Sequence, residues 1–302
     1  MYDIALSVNA CLRANTRADI VWMISPNPNA ESNPSEALAL TPGGGKIGSL
    51  LGGTFSGHFT DIANRKLVAG RLVELNVSEF ESITAGLPVN MKVKFLMVPA
   101  DQFSPELWPA LLQREAIALV CQLEGHEVVG ISFFTKETIA SADPAVAEIF
   151  NKGVSTVVEL ENQIISTLWP VTKLVIAGGG PIAEAISKTA QLLGWQVLIE
   201  SNNVMVAGLM AGLSRMDCAL IIGHDVESSS RSLASALESD AGYIGALGSK
   251  RMQENRADWL AYRDITDLSR VHGPAGFDIG ASTPPEIAIS VLAQAIGVLK
   301  GG

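Results

Sequence analysis

Between Lys173 and Glu200 the chain reads KLVIAGGGPIAEAISKTAQLLGWQVLIE, and this span leaves few folds open. Residues 174–177 are an unbroken apolar run of strand length. Behind Pro181 come apolar side chains at 182, 185, 186, 192 and 193, with the methyl of Thr189 between them. That spacing marks one face of a helix that begins on a proline. Residues 195–200, WQVLIE, are a second apolar strand. Strand, helix and strand within about thirty residues form a βαβ unit, whose strands pair in parallel through a right-handed crossover.

The alternation continues downstream. CALIIGHD (218–225) reads as a strand, SSSRSLASALES (228–239) as a helix, GYIGALG (242–248) as a strand and SKRMQENRADWLAYR (249–263) as a helix. TPPEIAISVLAQAIGVLK (283–300) closes as a helix, with Thr283 and Glu286 in capping-box spacing and prolines in the first turn. The expected fold class is α/β, with a Rossmann-like, doubly wound parallel sheet over 169–302.

Residues 1–168 read differently, as a mixed α+β domain. Residues 24–48, rich in Pro, Asn, Ser and Gly, are expected to be loop with a short apolar interruption at 37–40. RLVELNV (71–77) and KVKFLMV (92–98) have strand patterns, and IALVCQL (117–123) and EVVGISFF (127–134) flank a turn as a strand pair. Residues 104–116 are expected to be a helix capped by Ser104 with Pro105 first inside, and residues 143–153 a helix ending in Gly.

Composition bounds the function. The chain has 302 residues, enough for two domains at roughly 150 residues each. Hydrophobic residues are 48% and charged residues 17%, which rules out disorder for most of the chain. A net charge of −10 and 6% aromatics argue against a nucleic-acid partner. Cys11, Cys121 and Cys218 are scattered and odd in number, so neither a disulfide framework nor a cysteine zinc site is expected. No basic segment precedes the first apolar residues, and the apolar stretch 287–299 is too short to span a bilayer. A soluble cytoplasmic protein is expected.

Four glycine-bearing motifs are candidates for chemistry. Gly178-Gly179-Gly180-Pro181-Ile182-Ala183 is a G-x-G-x-x-A between a strand and a helix. There Gly178 would make the turn, Gly180 would admit a pyrophosphate and Ala183 would keep the helix close to the sheet. Glu200, at the end of the second strand, is placed to accept from ribose hydroxyls. Gly245-Ala246-Leu247-Gly248-Ser249-Lys250-Arg251 again leads from a strand to a helix, with cations where the helix dipole opposes them unless an anion is bound. His224-Asp225 ends a third strand, His224 as an acid–base or phosphate-orienting group, Asp225 equally as a helix cap. Residues 273–281, GPAGFDIGA, are a glycine-rich loop able to cover a ligand. The expected cofactor-binding set is Gly178, Gly179, Gly180, Ala183, Glu200, His224, Asp225, Gly248, Ser249 and Arg251, with no catalytic residue and no metal ligand among the predicted positions.

YIGALGSKR, RADWL and VHGPAGFDIGASTPPEIAISVLAQAI, following the glycine fingerprint and the HD pair in that order, resemble the C-terminal signature of the XdhC/CoxI family. These are accessory, maturation factors of xanthine and carbon monoxide dehydrogenases. The resemblance implies a chaperone that binds the molybdenum cofactor (molybdopterin), assists its sulfuration with a cysteine desulfurase and hands it to an apo molybdenum hydroxylase, rather than a turnover enzyme. A homo-oligomer is also expected. In the first half, GGGKIGSLLGGTFSGHFTDIA resembles the family's glycine-rich segment, but Ser56-Gly57-His58-Phe59 stands where Gly-Gly-Cys is usual, and Val98-Pro99-Ala100 where Cys-Gly-Gly is usual. Pro181 stands where many relatives have His, and Ser201-Asn202 replace Pro-Arg. The chain therefore reads as a divergent member. An NAD-dependent oxidoreductase, supported by Glu200, and a nucleotide-binding scaffold are the alternatives.

Overall fold

The computed structural model describes residues 1–24 and 35–301. The chain divides into two compact units, Met1–Trp169 and Pro170–Gly302.

The first unit runs α1 (Tyr2–Arg13), β1 (Asp19–Met23), β2 (Ala37–Thr41), β3 (Gly45–Ser49), α2 (Ser56–Asn64), β4 (Arg71–Asn76), α3 (Glu79–Ala85) and β5 (Lys92–Pro99). It continues with α4 (Leu107–Leu112), β6 (Ile117–Glu124), β7 (Glu127–Thr135), α5 (Pro144–Asn151), β8 (Thr156–Glu159) and β9 (Gln163–Leu168). Its strands form one sheet in the order β3-β2-β1-β5-β4-β7-β6-β9-β8, with antiparallel neighbours. The centre of this sheet is covered on both faces. Leu96 and Val98 of β5 enter a core with Trp22, Trp108 and the α1 residues Ile4 and Val8. Phe95 and Met97 enter another with Phe55 and Phe59. Strand period two thus feeds both cores from one apolar run.

Two expectations for this unit are corrected. Part of the expected 24–48 loop is a hairpin: β2 pairs with β3, Leu38 opposite Gly48 and Leu40 opposite Lys46. Residues 25–34 of that span lie outside the described residues. Glycine hides β3 because it lowers strand propensity, yet a Cβ at Gly48 would sit 2.6 Å from the Ala37 carbonyl oxygen, so the close approach needs it. The helix expected from Ser104 begins at Leu107. The Ser104 hydroxyl donates to the Glu106 carboxylate instead of capping, and the Leu107 N–H closes a turn onto the Ser104 carbonyl at 3.1 Å. The strand pair around residues 124–126 is present, with a register shift between Gln122 and Leu123.

The second unit runs β10 (Lys173–Ala177), α6 (Pro181–Leu192), β11 (Gln196–Glu200), α7 (Asn203–Met210), β12 (Cys218–Ile221), α8 (Val226–Glu238), β13 (Tyr243–Ala246), α9 (Lys250–Ala261), β14 (Val271–His272) and α10 (Pro284–Lys300). The sheet order is β11-β10-β12-β13-β14, and every neighbour is parallel. Leu174 and Ile176 pack with α6 and α10 residues such as Ile186, Val291 and Leu292. Val175 and Ala177 pack on the opposite face with α7, α8 and α9 residues such as Val206, Leu233 and Leu260. Helices on both faces of a parallel sheet make the doubly wound α/β sandwich that the sequence predicts, and explain why its central strands β10, β12 and β13 are apolar throughout rather than alternating.

Candidate functional site

In this strand order the chain moves from β10 outward to β11 and then returns to β12 on the other side. The connections of β10 and β12 therefore leave in opposite directions, which opens a crevice beyond their carboxyl ends. The loops there are Gly178–Gly180 and Ile222–Asp225. They touch: a Cβ at Gly178 would lie 3.2 Å from the Gly223 nitrogen, and Gly178 itself has φ +124. The Gly178 N–H donates to the Glu200 carbonyl at 2.8 Å, and the Ile222 N–H to the Ala177 carbonyl at 2.9 Å, so the ends of β11, β10 and β12 are tied together.

Gly180 caps α6 with φ +95, and a Cβ there would meet no atom within 4 Å. Glycine at this position serves the backbone angle and leaves the space above the helix start open. Pro181 follows as the first helical residue, and Ala183 is buried against the sheet. A Cβ at Gly179 would lie 4.0 Å from the Ser201 hydroxyl.

Glu200 is half-buried, and its Oε1 accepts from the N–H groups of Ser201 at 2.7 Å and Asn202 at 2.9 Å. Those bonds lower its pKa, so the carboxylate stays ionised well below neutrality. The Asp225 carboxylate caps α8, accepting from the Ser228 N–H at 2.7 Å, while His224 beside it is exposed with no side-chain hydrogen bond among the described residues. Ser249 caps α9 by accepting from the Met252 N–H at 3.3 Å. Lys250 and Arg251 follow in the first turn of α9, and neither side chain is paired among the described residues. Gly248, at φ +128, brings the backbone against α9, where a Cβ would sit 3.0 Å from Met252.

The residue that joins these loops is Arg256, on the inner face of α9, and sequence reasoning did not select it. It is 1% exposed. Its Nε donates to the Ser229 hydroxyl at 2.9 Å, Nη1 to the Leu247 carbonyl at 2.7 Å, and Nη2 to the Gly223 carbonyl at 2.8 Å. One guanidinium therefore fixes the loop after β12, the loop after β13 and the first turns of α8. Burial pulls its pKa down from the ordinary value, but a guanidinium remains protonated at neutral pH. No carboxylate pairs with it among the described residues. The signal in the sequence was a lone arginine eight residues past Gly248, within the quoted RADWL.

The loop after β14 is pinned beside the same strand ends. The Ala275 N–H donates to the Ala246 carbonyl at 3.0 Å, and the Gln294 side-chain oxygen accepts from both the Gly276 N–H and the Tyr243 hydroxyl at 2.8 Å. A Cβ at Gly276 would come within 2.4 Å of the Ser290 hydroxyl. The first turn of α10 closes on Glu286, which accepts from the N–H groups of Ser282 and Thr283, both at 2.9 Å. Those bonds pull the Glu286 pKa down to about 2.

The structure thus brings Gly178, Gly180, His224, Gly248, Ser249 and Arg251 to the carboxyl edge of one sheet, with Glu200 at the end of the outer strand β11. The arrangement offers N–H groups at helix starts, unpaired surface cations and one buried cation, which is what a phosphate or other anion requires. His58, in the segment that stands where Gly-Gly-Cys is usual, lies in the other unit and hydrogen-bonds Glu81 at 3.0 Å.

Residues 174–295 match the family described as the XdhC Rossmann domain. Among curated proteins, the uncharacterized protein YqeB of Escherichia coli (strain K12) is 29% identical over 147 residues, covering 42% of this chain and 27% of that protein. The chain thus spans about a quarter of the length of that relative. Among solved structures, a crystal structure of a xanthine dehydrogenase from Bacillus halodurans matches at 20% identity over 99% of this chain and 96% of that chain, with a TM-score of 0.47. Among the described residues no helix is long and apolar enough to cross a membrane.

Proposed function

We propose, on the premise that residues 174–295 are an XdhC Rossmann domain, that this chain binds the molybdenum cofactor and delivers it to an apo molybdenum hydroxylase of the xanthine or carbon monoxide dehydrogenase type. The observation that supports this reading best is the buried Arg256, which holds two loops of the crevice together and carries a positive charge without a carboxylate partner among the described residues. A ligand with a phosphate supplies the missing anion. Lys250 and Arg251 stand at a helix start where the dipole opposes cations, and a phosphate between them and the N–H groups removes that opposition.

The residues fit the phosphate-bearing end of molybdopterin. The open space at Gly180 admits it, and the helix starts of α6 and α9 present donors to it. The crevice offers no thiolate: Cys218 is the first residue of β12, buried at the opposite end of the strand, and burial raises its pKa well above the ordinary value. When bound, the cofactor supplies the dithiolene sulfurs that carry molybdenum. The protein's part is to hold the phosphate, exclude competing chemistry and release the group to a partner, with a cysteine desulfurase acting on the complex. This reading requires no proton transfer by the chain.

Anaerobic titration of the purified protein with molybdopterin is expected to show saturable binding by the native chain and none by Gly180→Asp. That substitution forces a side chain into φ +95 and places a carboxylate where the phosphate sits. Equal binding by both proteins, or none by the native one, sinks the reading. Glu200 favours a second occupant, NAD. One of its oxygens is fixed by two backbone N–H groups, and the other is free among the described residues to accept from a ribose. Stabilisation by NAD and not NADP in a thermal shift, with hydride transfer to a carbonyl substrate, would select that reading.

A further inference from the structure

The first unit has eleven Lys and Arg against eighteen Asp and Glu, yet three of its cations gather on one cleft. Arg65, Lys66 and Arg71 line a space of about 610 Å³ together with Glu124, His126 and Glu127. The cleft lies between the α2–β4 connection and the turn of the β6–β7 hairpin, and its size is in the range of small-molecule sites, roughly 300–1,000 Å³. Among the described residues none of these six side chains has a hydrogen bond or ion pair. Arg71 and Glu127 are register partners across β4 and β7 and still form no ion pair. Here a cationic side and an acidic side border one cleft and leave their charges uncompensated.

The backbone of the cleft is built. Arg17 Nη2 donates to the Leu67 carbonyl at 3.0 Å. The Gln102 side chain accepts from the Gly70 N–H at 2.9 Å and donates to the Val68 carbonyl at 3.1 Å. The two sides are also bonded to each other, Leu72 N–H to the His126 carbonyl at 2.8 Å and Val128 N–H to the Gly70 carbonyl at 2.7 Å. Lys66 holds a left-handed φ of 56°, which turns the chain sharply at the end of α2. Ile62 and Leu67, both partly buried, add apolar surface to the lining.

We propose that this cleft is a binding site for a phosphate monoester of a hydroxylated small molecule. Arg65, Lys66 and Arg71 meet the phosphate, since guanidinium and ammonium groups form charge-assisted bonds to its oxygens. Glu124 and Glu127 accept from the hydroxyls, which an ionised carboxylate does and a phosphate-only site has no use for. Ile62 and Leu67 take the uncharged body. This site is separate from the crevice of the second unit and does not depend on the reading given for it.

The test is calorimetric titration of the full chain, native and Gly180→Asp, with adenosine 5′-monophosphate, adenosine and inorganic phosphate as probes. The monophosphate is expected still to bind Gly180→Asp, in which the crevice is blocked, and the arginine and glutamate substitutions are read on that background. Arg65→Ala and Arg71→Ala are each expected to weaken it by about tenfold, the loss of one charge-assisted bond, with an unchanged melting temperature because both side chains are exposed. Glu127→Gln is expected to weaken the monophosphate and leave inorganic phosphate alone. Loss of binding in Gly180→Asp would assign it to the crevice and overturn the proposal. Indifference to both arginine substitutions would overturn it as well, and so would equal affinity for adenosine and its monophosphate.

Discussion

Arg256 fixes three segments of the second unit at once. A buried guanidinium with neutral acceptors is costly to place, and it persists because each acceptor is itself a group that needs a donor: the carbonyls of Gly223 and Leu247 and the Ser229 hydroxyl. Leaving a buried acceptor unsatisfied costs about 1–3 kcal/mol. Arg256→Ala strands three acceptors and opens a cavity, so a loss of about 3–5 kcal/mol is expected. Arg256→Lys keeps the charge but has one nitrogen where the fork has three, and recovers only part of that loss. Urea unfolding of the three proteins checks both statements, and a native-like midpoint for Arg256→Ala would contradict them. Sequence reasoning passed over Arg256 for a physical reason. The exposed side of α9 is polar, with Lys250, Arg251, Glu254 and Arg263 close by, and one more arginine there reads as solvated surface.

Among the elements, those with a single strong pattern could be read from the sequence. β10, α6 and β11 announce themselves because both strands are apolar runs, β10 buried on both faces and β11 at the sheet edge, and because Pro181 marks the helix start. α7 was missed, since NVMVAGLM is apolar on every side and holds a glycine, so no helical period stands out. β14 is two residues long and has no pattern at all. β2 and β3 were read as loop because glycine is the residue that lets them pack closely. The capping box of α10 was legible, and it has a consequence for acid stability. Glu286 holds two backbone N–H groups more strongly when ionised, and its pKa falls from 4.5 to about 2 in the folded protein. A depressed carboxylate stabilises the fold above its unfolded pKa and loses that contribution as pH falls through the folded value. The stability difference between the native chain and Glu286→Gln should therefore be full near neutrality and shrink between about pH 4.5 and about pH 2. Urea midpoints measured across that window test this, and a difference that grows as pH falls would refute it.

At the scale of the whole molecule, charge opposes the function proposed for the crevice. The chain carries a net −10, and the second unit alone has ten Lys and Arg against thirteen Asp and Glu. An anionic cofactor is therefore repelled at long range and attracted only near Lys250, Arg251 and the buried Arg256. The two ranges are separable by salt, because the screening length falls from about 30 Å at 0.01 M to about 8 Å at 0.15 M. At the lower ionic strength the ligand senses the whole acidic surface before it reaches the crevice. At the higher one that repulsion is screened, while the contacts at the α9 start lie within reach and survive. The association rate of molybdopterin, followed by stopped flow, should rise with salt over this interval, the reverse of a site steered by its own basic field. A Lys250→Gln, Arg251→Gln double variant should associate more slowly at every salt concentration and dissociate faster, because it lacks the short-range attraction that offsets the net charge. A native association rate that falls with salt would mean that these cations dominate at long range as well, and would place the site on a surface far more basic than this chain's composition provides.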